Sequence, residues 1–153
     1  MLYIKDRENL VRIAWTWVNT PYRGWSRMKR YGCDCIGLIA GIYIEAGHIT
    51  EQEADASIPR DYSLQIGQHQ PDTEYIDGIM TFMQEIQQHE VRPGDVVMFK
   101  LATGHAFAHS AIVIKWPLMI HAVAHGGVKA ADAFKHPLLI GAARRYFTLK
   151  GKH

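Results

Sequence analysis

Gly32-Cys33-Asp34-Cys35-Ile36-Gly37-Leu38-Ile39-Ala40-Gly41-Ile42-Tyr43-Ile44-Glu45-Ala46-Gly47 is the stretch on which the reading of this chain turns. Gly32 supplies a tight turn and Asp34 an N-cap oxygen. Ile36, Ile39, Ala40, Tyr43 and Ala46 then recur at helical spacing until Gly47 offers a stop. Cys35 falls in the first turn, where unpaired backbone N–H groups and the positive helix end favour a thiolate over a thiol. Gly37 and Gly41 each weaken a helix by about 1 kcal/mol relative to Ala, which predicts another backbone packed against that face. Taken by itself, Cys35 reads as a small buried hydrophobe, and its place at the helix start does not overturn that.

Working outward, the chain of 153 residues is read as one domain, 1–153, able to bury roughly 68–70% of its unfolded surface. With 48% apolar and 21% charged residues it has the composition of an ordinary globular protein. The two cysteines, Cys33 and Cys35, stand too close for a disulfide framework and suit a reducing compartment. A net charge of +2 is too small to argue for nucleic acid as a partner. The start, Met1 to Glu8, turns charged too early for a signal peptide, and no apolar run approaches the ~20 residues of a membrane span. The expectation is therefore synthesis in the cytoplasm and no membrane span.

Upstream, Leu10, Ile13, Ala14 and Trp17 predict a helix over Asp6–Val18 with Asp6 as N-cap, ended by Asn19-Thr20-Pro21. A basic and aromatic loop, Tyr22 to Tyr31, leads into the Cys35 helix. Downstream, His48 to Pro71 is polar and reads as loops and short turns, a segment long enough for a lid or binding surface. Asp72 to His89 carries Tyr75, Ile76, Ile79, Met80, Met83 and Ile86 on one helical stripe. Arg92-Pro93-Gly94-Asp95 is a turn. Strands are predicted at Val96–Phe99, Ala108–Lys115, Leu118–Ala124, Val128–Ala131 and Ala142–Phe147. Helices followed by a run of antiparallel strands give an α+β class, with helices on one face of a sheet of about five to six strands.

A thiol nucleophile needs a base within hydrogen-bond reach and a third group to orient that base. Among nine histidines, strand context selects His109, in Ala-His-Ser-Ala-Ile-Val-Ile, and His121, inside Leu-Met-Ile-His-Ala-Val. A hairpin with an odd loop centred on Lys115 puts them directly opposite, Cβ atoms about 4.5–5.5 Å apart. A two-residue loop at Trp116-Pro117 would place Ile112 opposite His121 and turn His109 to the other face. The odd loop is expected, because Pro117 suits the end of a longer turn.

Five fragments in order carry a family resemblance: Thr20-Pro21-Tyr22, Asp34-Cys35-Ile36-Gly37-Leu38, Arg92-Pro93-Gly94-Asp95-Val96, His109 with Ala111-Ile112-Val113, and Met119-Ile120-His121-Ala122. Together they resemble the NlpC-type cell-wall peptidases, papain-like cysteine peptidases, and most of all their short phage- and prophage-encoded forms. The resemblance implies a papain-like fold, with Cys35 as nucleophile, His109 as general base and acid, and His121 holding His109 in one tautomer. It implies that Tyr22 and Asp34 line the substrate pocket, that peptidoglycan stem peptides are the substrate, and that no cofactor or metal is needed. Phage tail proteins become candidate partners, and a virion, the periplasm or the cell wall becomes the place of action. Arg23 and Arg27, with Lys29 and Arg30, flank Cys35 and are assigned to the anionic stem peptide. Family members usually carry Ser where this chain has Ile36, which bears on substrate choice rather than on the chemistry.

Other readings stay open on the residues alone. An acyltransferase or amidase uses the same scaffold, and a non-catalytic tail or assembly component could keep the fold. A zinc module built on Cys33, Cys35, His121 and His125 has one residue between its cysteines where two to four are usual. Cys33 is either a spare buried thiol or one half of a strained Cys33–Cys35 link that silences the thiol on oxidation.

Overall fold

A computed structural model describes residues 1–58, 74–101 and 107–151, and for 74–76 the backbone alone. Helix α1 spans Ile4–Thr16, α2 Cys35–Glu45, α3 Glu51–Ser57 and α4 Glu74–Phe82. Strands β1 (Arg27–Met28) and β2 (Gly32–Cys33) form a small ribbon. β3 (Met83–Ile86), β4 (Val96–Lys100), β5 (His109–Lys115), β6 (Leu118–Val123), β7 (Gly127–Asp132) and β8 (Ala143–Leu149) form one antiparallel sheet in the order β3-β8-β4-β5-β6-β7. The class is α+β, as the alternation of apolar residues predicts, with six strands in the main sheet.

Because side chains alternate across a strand, β4 divides its apolar residues between two cores. Val96 and Met98 join Ile112 and Ile120 under α1 and α2, against Leu10, Ile13, Trp17, Leu38 and Ile42. Val97 and Phe99 join Ala111, Val113, Met119 and Tyr146 on the opposite face, packed with Ala133 and Leu139 from the segment after β7. Each buried Val, Leu, Ile, Met or Phe among them contributes about 1.5–3 kcal/mol by leaving water. A buried polar knot ties the ends of the chain to the middle. Arg7 donates to Asp95 at 2.8 Å, Thr148 Oγ1 donates to the same carboxylate at 2.7 Å, and its other oxygen accepts from Arg92 N–H at 2.8 Å. Among the described residues, no helix is long and apolar enough to cross a membrane.

Several local expectations give way. Helix α1 begins earlier, at Ile4, with Tyr3 at the N-cap position; Asp6 is its third residue and accepts from the Tyr3 N–H at 2.8 Å as the acidic member of a capping box. Within His48–Pro71, Thr50 and Glu53 form a reciprocal capping box that starts α3, enough to nucleate one short helix in a polar stretch. Residues 59–71 of that segment lie outside the described residues.

The stripe over 72–89 does not stay helical. α4 stops at Phe82, and Met83–Ile86 pairs with β8, because a strand that completes a sheet edge gains a full ladder of hydrogen bonds. Ile79 and Met83 are buried; the side chains of Tyr75 and Ile76 lie outside the described residues. Gly41 faces the Trp17 ring and not a backbone, while Gly32 lies in β2, a close-approach position under the Arg23 side chain.

The β5–β6 hairpin corrects the expected register. Lys115 pairs with Leu118 around a two-residue turn at Trp116-Pro117, whose peptide bond is cis. A bulge between Val113 and Lys115 takes up one residue, and below it Val113 faces Met119 and Ala111 faces His121. His109 is therefore a diagonal neighbour of His121 and not its direct partner. The bulge keeps the two on one face, which a regular two-residue hairpin would not.

Candidate active site

Cys35 opens α2, and local sequence explains why the helix starts there. Asp34 is extended, and its buried carboxylate accepts from the Gly37 N–H at 2.8 Å and from the Trp25 N–H at 2.7 Å. One side chain thus caps the helix and fastens the preceding loop to it. Gly37 is required by contact, since a Cβ there would collide with the Ser26 carbonyl oxygen. At the far end, Gly47 adopts a φ of 82°, the left-handed region that lets the chain leave the helix.

The Cys35 Sγ is buried and donates to the Ala108 carbonyl at 3.4 Å, the residue just before β5. A carbonyl only accepts, so the sulfur is the donor in this contact.

His109 and His121 meet through Nε2 and Nδ1 at 2.9 Å, ring centroids 5.1 Å apart and planes at 77°. Phe99 lies 6.0 Å from the His109 ring. Burial is the main force that pushes His109 down to about 3, with His121 and His136 adding to it; burial and then His136 push His121 down to about 4. Both imidazoles are therefore neutral near pH 7. Once His109 Nε2–H is assigned as the donor to His121 Nδ1, His109 Nδ1 remains available to accept a proton.

Both imidazoles share the sheet face of Ala111, Val113 and Met119. Cys35 belongs to the helix-side core and reaches the beginning of β5 through the Ala108 backbone. The structure thus joins the two imidazoles directly and brings the sulfur to the residue next to His109.

Tyr22 is held by backbone pairing beside the same site. It bridges to Cys33, and the flanking bonds Cys33 N–H to Pro21 and Arg23 N–H to Cys33 are both 3.0 Å. Burial and the nearby Cys35, Asp34 and Cys33 raise its pKa well above the ordinary tyrosine range, so its hydroxyl keeps its proton. The arginines separate. Arg23 is exposed, whereas Arg27 is clasped by Glu51 at 2.5 Å and Asp55 at 2.6 Å of α3. Cys33 and Cys35 are not joined in a disulfide, and burial pushes Cys33 up to about 12.

Sequence reasoning passed over His136. It follows β7, and its ring stands edge-on to His121 at 5.1 Å with an interplanar angle of 87°. No periodicity marks it, because it lies in a turn. Among the described residues, no three His, Cys, Asp or Glu side chains converge as a metal site would require.

The profile of the NlpC/P60 family matches residues 19–139. No curated protein matches the chain. Among solved structures it is similar to the NlpC/p60 domain of the peptidoglycan hydrolase SagA, with 16% identity and a TM-score of 0.62 over 91% of this chain and 96% of that one. An NlpC/P60 family protein from Bacillus cereus is 23% identical with a TM-score of 0.63 over 91% of this chain, which spans only 39% of that protein. RipD from Mycobacterium tuberculosis, described as a non-catalytic NlpC/p60 domain protein adapted to peptidoglycan binding, is 14% identical with a TM-score of 0.57, covering 95% of this chain and 98% of its own. These likenesses are of fold, and they include both catalytic and non-catalytic domains.

Proposed function

The chain belongs to the NlpC/P60 family, and from that premise we propose that it is a cysteine endopeptidase that hydrolyses a peptide bond in the peptidoglycan stem. The observation that carries this reading is the His109–His121 pair at 2.9 Å, set one residue from the carbonyl that the Cys35 thiol touches. A thiol at a helix start, a neutral base and a polar residue behind that base are the parts that covalent acyl transfer needs.

In the proposed reaction the substrate displaces Sγ from the Ala108 carbonyl toward His109, a tightening common when a resting site fills. Cys35 gives its proton to His109 Nδ1 and its sulfur attacks the amide carbon. His109, now doubly protonated, keeps Nε2–H on His121 Nδ1. The oxyanion takes hydrogen bonds from the Cys35 N–H and the Tyr22 hydroxyl; loss of one such donor costs about 2.7–4 kcal/mol in comparable sites. His109 returns the proton to the leaving amine, the C–N bond breaks, and water hydrolyses the thioester. Asp34 and Tyr22 shape the pocket, and Arg23 meets a substrate carboxylate. Arg27 contributes less, since α3 neutralises it.

The signature fragments favour a phage- or prophage-encoded form, acting from a virion beside tail proteins or inside the periplasm. Mass spectrometry of defined muropeptides, digested by the wild type and by Cys35→Ala, tests the activity. Cleavage by the first and not the second is expected. No cleavage by either, with binding retained, leaves a peptidoglycan-binding domain and ends the hydrolase reading.

A further inference from the structure

His136 is fixed by the turn it stands in. Its backbone N–H donates to Asp132 at 3.0 Å, and its carbonyl accepts from Leu139 and Ile140, each at 3.0 Å. Its Nδ1 accepts from the Leu138 N–H at 3.2 Å, which leaves the ring proton on Nε2. The turn is itself anchored. Ala133 and Leu139 are buried in the core behind the sheet, and the Ala133 N–H donates to the Pro117 carbonyl at 3.0 Å. This half-buried ring stands perpendicular to His121, and His121 in turn touches His109.

We infer that His136 is a positioning residue for the proposed triad: its ring, locked by the 132–140 turn, sets the plane of His121 so that His121 Nδ1 stays aimed at His109 Nε2. The perpendicular contact is one of the two favoured arrangements of a ring pair, and rotating His121 would break it. His109 takes the thiol proton on Nδ1 more readily while Nε2–H has an acceptor, so a tilt in His121 weakens that support at the moment charge develops. The three rings form a line of support from His109 through His121 to His136, and it begins one residue from the carbonyl that Cys35 touches. The inference rests on the hydrolase reading for its consequence, though not for its test.

The test compares His136→Leu, which keeps bulk and drops the ring, with His136→Phe, which keeps the ring edge. Both are made in a Cys33→Ala background so that iodoacetamide reads Cys35 alone. Expected for His136→Leu is a fall of about tenfold or more in kcat on muropeptides and in the alkylation rate at pH 7, with KM within about twofold and an unchanged Tm. His136→Phe should stay within about threefold of the parent on both measures. His136→Asn supplies the ring-free comparison if the leucine variant does not fold. A ring-free variant that matches the parent, or a phenylalanine variant that falls as far as the ring-free one, overturns the inference. If the parent cleaves no muropeptide, the hydrolase reading fails separately, and the alkylation series still decides the role of His136.

Discussion

His109 and His121 face one another through Nε2 and Nδ1 at 2.9 Å although neither is the other's direct partner in the ladder, where Ala111 holds that place. The diagonal reach is possible because imidazoles are long enough to span neighbouring positions on one face. In the proposed reaction His121 serves as an acceptor. His121→Asn, which keeps a side-chain oxygen, is expected to hold muropeptide turnover within about tenfold, and His121→Leu to lose about 100-fold. Steady-state kinetics on a single purified muropeptide separates the two.

Burial of the two imidazoles carries a stability signature. Both are neutral in the fold down to about 3 and about 4, whereas an unfolded histidine takes up its proton near 6.5. Between pH 6.5 and about 4 the unfolded chain binds more protons, so stability is full above about 6.5 and falls as the pH drops. The slope approaches about 1.4 kcal/mol per pH unit for each histidine. Urea denaturation from pH 7.5 to 4.5 should show this decline, and His121→Asn should show a shallower one.

Gly37→Ala drives a methyl group against the Ser26 carbonyl, which is backbone and cannot rotate away. The cost expected is about 1–3 kcal/mol, with Tm lowered by about 2–4 °C for each kcal/mol. Thermal melting followed by circular dichroism measures it, and an unchanged melting point would contradict the close packing of loop on helix.

Only one sulfur should react. Iodoacetamide added to the native protein is expected to label Cys35, while Cys33, fully buried and pushed up to about 12, reacts only after unfolding. Cys33→Ala should keep turnover within about twofold, since Cys33 packs in the core and takes no part in the proposed chemistry. Peptide mapping of the labelled chain, with and without prior reduction, reads both the site and any link between the cysteines.

The arginines beside the site are expected to differ. Arg23→Ala should raise KM about threefold at low salt, an effect that fades by about 0.5 M salt as screening shortens the reach of the charge. Arg27→Ala should move KM less, because Glu51 and Asp55 already balance its charge. Initial rates at two ionic strengths decide between them.

Features that are local in the chain were legible from it. The Asp34 cap, the α2 stripe, the Gly47 stop and the strands around His109 and His121 all follow from neighbours within a few residues. Helix α3 was legible in principle, since Thr50 and Glu53 stand at capping-box spacing, but the polar residues around them hid it. Strand β3 was not, because Met83 and Ile86 fit a helical stripe as well as a strand, and pairing with distant β8 makes the choice. The odd-loop expectation put both imidazoles on the right face but in the wrong register, since a bulge leaves no mark in composition. His136 reaches the site only through the packing of a turn, which no spacing rule describes.

The hydrogen bonds from Trp25 and Gly37 to Asp34 make the aromatic loop and the Cys35 helix a single mechanical unit. Trp25 sits on that loop with its indole half exposed and its backbone at a φ of 60°, a posture a non-glycine residue holds only under restraint. A compound that grips Trp25 and pulls it from that posture takes one bond from the carboxylate and loosens the footing of the sulfur. Inhibitor design therefore has a handle on the rim, apart from any warhead aimed at the thiol.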